Sequence, residues 1–124
     1  MSLTRKEKEE QVALLTDTFK SAGSVVFVNF HGLDVSRERG MRTKLRDEGV
    51  SYTVAKKTLT KIALDQSGLQ GSIPELGGEL AIAWSDEATA PARTIYSFQK
   101  EYNDAVSILG GIFEGELKDK VQMT

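Results

Sequence analysis

Ser24-Val25-Val26-Phe27-Val28-Asn29-Phe30 is followed at once by His31-Gly32-Leu33-Asp34. The first seven residues are short, apolar and β-branched, with no polar alternation, which predicts a strand buried on both faces at the centre of a sheet. His31-Gly32 then turns the chain. Upstream, Thr4-Arg5-Lys6-Glu7 has capping-box spacing: a Thr side chain for one free N–H and a Glu three residues on for another. The helix it opens repeats apolar residues at Val12, Leu15, Phe19 and Ala22, with Gly23 as its stop. Downstream, Asp34 or Ser36 caps a second helix that runs to about Glu48 and ends at Gly49. Leu33, Met41 and Leu45 are its few apolar residues, while Arg39, Arg42 and Arg46 form a separate stripe more than about 90° away. Residues 51–55 predict a second strand. Lys56-Lys57-Thr58 opens a third helix with Leu59, Ile62 and Ala63 inward, and Gly68, Gly71 and Pro74 mark a loop.

Residues 80–84 predict a third strand, and Ser85 or Asp86 caps a fourth helix that tolerates Pro91 in its first turns. Pro91, Ile95, Phe98 and Tyr102 form its apolar stripe. Residues 106–113 predict a fourth strand, with a bulge or close packing at Gly110-Gly111. Two β-α-β halves in about 90 residues indicate an α+β domain of the split β-α-β (ferredoxin-like) type. The expectation is a four-stranded, mainly antiparallel sheet with helices on one face and extra N-terminal and connecting helices. A small parallel sheet is the alternative.

The 124 residues suit one domain over 1–124. With 40% hydrophobic and 27% charged residues, the composition is that of a folded domain and not of a disordered one. The chain has no cysteine, which excludes disulfides and thiolate metal sites. No apolar run approaches the roughly 18 residues of a membrane span, and the N-terminus has no signal-type apolar core. The net charge of −2 hides an asymmetry. Residues 1–61 carry 12 Lys/Arg and 8 Asp/Glu, whereas residues 62–124 carry 4 and 10, so the halves are +4 and −6. A basic half points to an anionic partner on one face.

Catalytic groups do not converge. His31 is the single histidine and has the spacing of a turn residue. The adjacent pairs Glu9-Glu10, Asp47-Glu48 and Asp86-Glu87 lie in or beside predicted helices, where neighbours in sequence do not face one another. No phosphate-loop motif is present. Neither a metal nor a cofactor is expected. What stands out is basic surface: Arg5/Lys6/Lys8, then Arg37/Arg39/Arg42/Lys44/Arg46, then Lys56/Lys57/Lys61. The second is diluted by Glu38, Asp47 and Glu48, and a solvated helix face explains it equally well. The third is more pointed. Lysines at a helix start oppose the helix dipole, and they make sense where phosphate approaches the free N–H groups. Tyr52 is the one aromatic near a basic cluster, and its pattern favours core or sheet surface over a stacking platform.

Several segments carry a family resemblance. Phe30-His31-Gly32-Leu33-Asp34-Val35 resembles the aromatic-x-Gly-Leu-x-Val turn of the bacterial large-subunit ribosomal stalk-base protein, ribosomal protein ten of that subunit, called P-zero in archaea and eukaryotes. Met41-Arg42, Leu45-Arg46 and Gly49-Val50 are similar to its second helix, and Val54-Ala55-Lys56-Lys57-Thr58-Leu59 to its Val-Val-Lys-Asn-Thr-Leu segment. Gly78 to Ser85 resembles its Gly-Pro-Thr-x-Ile-Ala-x-Ser strand, and Gly110-Gly111 with Glu114-Gly115 its late Gly-Gly…Glu-Gly signature. The likeness is collinear over about residues 4–120. Lys57 stands where the family has Asn, and Glu79-Leu80 where it has Pro-Thr.

The resemblance implies a cytoplasmic, ribosome-associated, non-enzymatic domain. Its expected function is to bind the stalk base of the large-subunit ribosomal RNA, beside a neighbouring large-subunit stalk-base protein, and to anchor the stalk used by translation factors. The implied RNA-binding residues are Arg5, Lys6, Lys8, Gly32, Lys56, Lys57 and Thr58, with Arg37 and Arg42 behind them. Recognition would go through phosphates and 2′-hydroxyls of a folded RNA shape, with the acidic half turned away. The family's long C-terminal helix, which recruits acidic stalk-protein dimers, is absent here. Residues 114–124 lead toward it, so dimer binding is not carried over. Two alternatives stand beside this reading. One is a ribosome-assembly factor paralogue lacking that helix. The other is a small acylphosphatase-like hydrolase using Asn29 and Arg37, whose spacing is a poor match. A monomer is the default state.

Overall fold

The computed structural model describes residues 4–30, 35–71, 79–87, 89–102, 106–113 and 116–119. The elements in order are α1 (Arg5–Ser21), β1 (Ser24–Phe30), α2 (Val35–Asp47), β2 (Ser51–Val54) and α3 (Lys57–Ser67). They are followed by β3 (Gln70–Gly71), β4 (Glu79–Ser85), α4 (Ala90–Tyr102), β5 (Val106–Phe113) and β6 (Glu116–Asp119). The sheet order is β2-β4-β1-β5-β6-β3. Its first four strands are all paired antiparallel and reproduce the split β-α-β arrangement, with β1 in the middle. The expected four strands become six. Part of the polar tail forms β6 against β5, and the two-residue β3 pairs parallel to β6.

Helices cover both faces of the sheet, not the single face expected. Successive β1 side chains point to opposite sides. Val25 and Phe27 join Val12, Leu15 and Phe19 of α1 and Leu59, Ala63 and Leu64 of α3. Val26 and Val28 join Met41 and Leu45 of α2 and Ile95 and Phe98 of α4. Two apolar layers on one central strand require that strand to be apolar throughout, and Val25 to Val28 are fully buried. Phe19 meets Phe27 edge-on at 5.7 Å, a favoured aromatic geometry.

Local sequence signals explain most element ends. Thr4 caps α1 by accepting the Glu7 N–H at 3.2 Å. The Glu7 carboxylate accepts from the Thr4 hydroxyl at 2.9 Å, so the second half of the box closes on the side chain and not on the backbone N–H. α2 ends in a Schellman turn. Val50 N–H reaches Leu45 C=O, Gly49 N–H reaches Arg46 C=O, and Gly49 sits at φ +75°. At β5, the register against β1 shifts between Phe27 and Val28, leaving Leu109 as the bulged residue beside Gly110.

Four expectations change. Gly23 is not a left-handed cap: α1 ends at Ala22 in an extended conformation, and Gly23 is needed because the Asp86 backbone lies against it. Ile62 is 44% exposed rather than inward. α4 starts at Ala90, with Thr89 C=O taking the first helical bond from Arg93 N–H. Ser85 instead finishes β4 and closes a turn with Glu87. Ser36 lies inside α2, so it is not that helix's cap, and Asp34 lies outside the described residues.

Candidate functional site

Sheet register places the sequence-predicted cations. Val28 of β1 and Val54 of β2 both oppose Ala81 of β4. The two strands are therefore parallel, level, and leave the sheet at the same end. The start of α2, with Arg37, and the start of α3, with Lys56, Lys57 and Thr58, follow from that end. Lys56 is the extended N-cap of α3 and makes no side-chain cap bond. The Lys56 C=O takes the first helical bond from Thr60 N–H at 3.0 Å and the Thr60 hydroxyl at 2.9 Å. The N–H groups of Lys57, Thr58 and Leu59 precede that first bond and have no helical acceptor. No acidic residue occupies the first turn, unlike Glu7 in α1 and Glu38 in α2. Lys56, Lys57 and Thr58 are all exposed. The result is a solvent-facing helix start with two ammonium groups, a hydroxyl and unpaired N–H donors.

α1 lies against α3. Arg5, Lys8 and Glu9 line a groove of about 320 Å³ with Leu59 and Ile62. Arg5 is half-engaged by Glu9 at 3.4 Å, but this exposed i,i+4 pair is weak and leaves the guanidinium available. Lys6 is exposed on α1 and does not line the groove. Gly32 lies outside the described residues.

Arg42 sits apart from that group. It ion-pairs with Glu38 at 2.8 Å, and its guanidinium lies over the Tyr52 ring, 5.3 Å from the centroid. Arg42, Thr43, Arg46, Gly49, Ser51 and Tyr52 line a second groove of about 570 Å³. The Tyr52 hydroxyl is sealed from solvent and has no hydrogen-bond partner. Burial, then the Glu38 charge, push its pKa up to about 12, with Arg42 partly opposing. The sequence gives no direct sign of the Arg42–Tyr52 stack. The i,i+4 spacing of Arg42 and Arg46 is visible there, but the register that sets Tyr52 beneath them depends on how α2 crosses β2.

Together, fold and surface define a small α+β domain that presents cations where two helices start. No group of three or more His, Asp or Glu side chains is placed to hold a metal ion among the described residues. No described helix is long and apolar enough to cross a membrane. The family model for ribosomal protein L10 matches residues 3–100. Large ribosomal subunit protein uL10 from Pelotomaculum thermopropionicum is 38% identical over 119 residues, which cover 96% of this chain and 67% of that protein. The uL10 proteins of a Nitratiruptor species and of Staphylococcus haemolyticus are 34% and 36% identical. Each alignment covers 94% of this chain, and 68% and 70% of those proteins. The chain belongs to the ribosomal protein L10 family of the large subunit.

Proposed function

We propose that this domain binds large-subunit ribosomal RNA at the stalk base, next to a neighbouring large-subunit protein, and anchors the stalk on which translation factors act. The observation that carries the reading is the open start of α3. Lys56 and Lys57 stand there with the Thr58 hydroxyl, with N–H groups that have no helical acceptor and no carboxylate in the helix's own first turn. A helix start of this kind favours phosphate through both its donors and its dipole. Lysines placed there repel the dipole in the free protein, and a bound phosphate reverses that penalty. Arg5 and Lys8 on the adjoining α1, and Arg37 at the same sheet end, extend the cationic area. Contacts of this type fix register on a folded RNA and carry little base information.

The test is a salt titration of binding to a stalk-base transcript against a scrambled transcript. Selective binding should weaken with salt, with a log–log slope of roughly 0.7–0.9 per phosphate engaged. The double substitution Lys56→Ala and Lys57→Ala should flatten the slope by that amount for every phosphate the variant no longer holds. Unchanged binding and slope in the double variant would remove the α3 start from the interface. Loss of selectivity that returns when the neighbouring protein is added would make the RNA site a joint one.

A further inference from the structure

We propose that the groove between the C-terminal half of α2 and the start of β2 takes an unstacked nucleobase of the bound RNA, on a platform made by Arg42 and Tyr52. This rests on the RNA-binding reading above, but it concerns different residues and a different kind of interaction. Arg42 is contacted from two sides: Glu38 meets the guanidinium at 2.8 Å, and the Tyr52 ring centroid lies 5.3 Å from it. The Arg42 side chain remains 52% exposed and lines the groove, so its flat, cationic guanidinium can be reached from there. Tyr52 is half-buried while its hydroxyl is sealed, so the hydroxyl contributes nothing to what the residue shows the groove. Guanidinium planes and aromatic rings are the surfaces on which splayed-out RNA bases stack.

The remaining groove residues fit the same ligand. Arg46 lies one helical turn beyond Arg42 and has no ion-pair partner among the described residues. It is placed to meet the phosphate flanking a stacked base. Gly49 supplies a wall without a side chain, and a Cβ added there would meet nothing within 4 Å. That openness leaves room for a planar group. The groove is a poor site for a bare anion. It lies at the negative end of the α2 dipole, beside Asp47 and Glu48. Two arginines, one already paired, offset this only in part. A base supplies stacking area that those carboxylates do not oppose, so the preferred ligand is a nucleotide and not inorganic phosphate.

The experiment uses the full chain and a single-stranded RNA hexamer carrying one 2-aminopurine. The comparison ligands are the same hexamer with that base removed and inorganic phosphate as a competitor. Stacking should quench the fluorophore on binding, the abasic hexamer should bind about tenfold more weakly, and phosphate should not compete beyond its ionic-strength effect. Arg42→Lys keeps the charge and removes the plane. It should cost about tenfold on the hexamer with an unchanged salt slope. Tyr52→Leu should do the same, and if that variant fails to fold, Arg42→Lys alone decides. Equal binding of parent and abasic hexamers, or wild-type affinity in Arg42→Lys, overturns the inference. If the hexamer does not bind while the folded transcript binds through Lys56 and Lys57, this inference falls and the anchoring reading stands. If neither RNA binds, both fall.

Discussion

Gly23→Ala and Gly40→Ala make the same chemical change with opposite expected signs. A Cβ on Gly23 would lie 2.0 Å from the Asp86 carbonyl oxygen and 2.5 Å from its carbonyl carbon. Ordinary contact begins near 3.4 Å, so the two backbones must separate by about 1.4 Å. Neither neighbour is the free end of a side chain that could swing away. The separation falls where β1 begins pairing with β4, at Ser24 opposite Ser85. It also pulls on the buried Ser24 hydroxyl, which donates to Glu87 C=O at 2.8 Å. Overpacking costs about 1–3 kcal/mol, and a strained or broken hydrogen bond adds about 1 kcal/mol, giving about 2–4 kcal/mol. Gly40 lies within α2, and a Cβ there would meet nothing within 4 Å. Alanine should stabilise that helix by about 0.8–1 kcal/mol, because glycine's extra unfolded-state freedom is removed. In thermal unfolding followed by circular dichroism, Gly23→Ala should lower Tm by about 8–15 °C and Gly40→Ala should raise it by about 3–4 °C. Urea titrations should give matching changes in midpoint at constant slope. A Gly23→Ala protein within about 0.5 kcal/mol of the parent would refute the claim that backbone contact, and not turn geometry, requires glycine there.

Gly49→Ala should cost about 1–2 kcal/mol from left-handed strain alone, since φ is +75° and the added Cβ has open space; asparagine, which tolerates that region better, should recover part of the loss in a urea titration. Phe27→Ala should cost about 3–5 kcal/mol, because the ring is fully buried and packs edge-on against Phe19; a calorimetric loss under 1 kcal/mol would contradict the packing. The Tyr52 phenol should titrate near pH 12, later than an ordinary tyrosine at 10, as read by phenolate absorbance. Since the folded protein holds this proton more tightly than the unfolded chain, Tyr52 adds no pH dependence below about pH 10. Its contribution to stability then declines as pH rises through its folded pKa, and Tyr52→Phe should remove that decline.

The sheet is legible in the sequence because one segment determines it. An unbroken apolar strand at residues 24–30 must be covered on both faces, and the order of the remaining segments points to the split β-α-β pairing while leaving a small parallel sheet compatible. The number of helical layers is also implicit in that strand. The ferredoxin-like arrangement by itself requires only one layer, and that hides the second, although α1 and α3 both carry apolar stripes that need a partner. Ile62 is misplaced by periodicity because helical spacing assigns a face only to within about one residue, and here Leu59, Ala63 and Leu64 fill the interior. Gly23 reads as a cap because sequence shows that a glycine is needed but not why. The reason is a backbone 63 residues away, which no local pattern reports. Lys56, Lys57 and Thr58 are legible as a helix start. The Arg42–Tyr52 stack is not, since it joins a helix face to an edge strand through tertiary packing alone.

The proposed RNA partner has to be reconciled with a chain whose net charge is −2 and whose pI is about 5.5. Net charge is the wrong quantity once the fold separates the charges. Lys56 and Lys57 follow the end at which β1 and β2 leave the sheet, whereas Asp86 and Glu87 lie beyond the other end, next to Gly23 and Ser24. Seven residues of β1 span about 20 Å. At physiological ionic strength the screening length is about 8 Å, so those carboxylates lie more than two screening lengths from the α3 start and barely reduce its potential. Among the described residues, the carboxylates that ion-pair with these cations are Glu9 beside Arg5 and Glu38 beside Arg42. Each engages an arginine through an exposed or partly exposed i,i+4 pair worth only a few tenths of a kcal/mol, less than a charge-assisted bond to phosphate returns. Lys56 and Lys57 have no such competitor among the described residues. They are therefore among the positions where phosphate binding displaces the least, and they should carry a clear share of the interface's salt dependence.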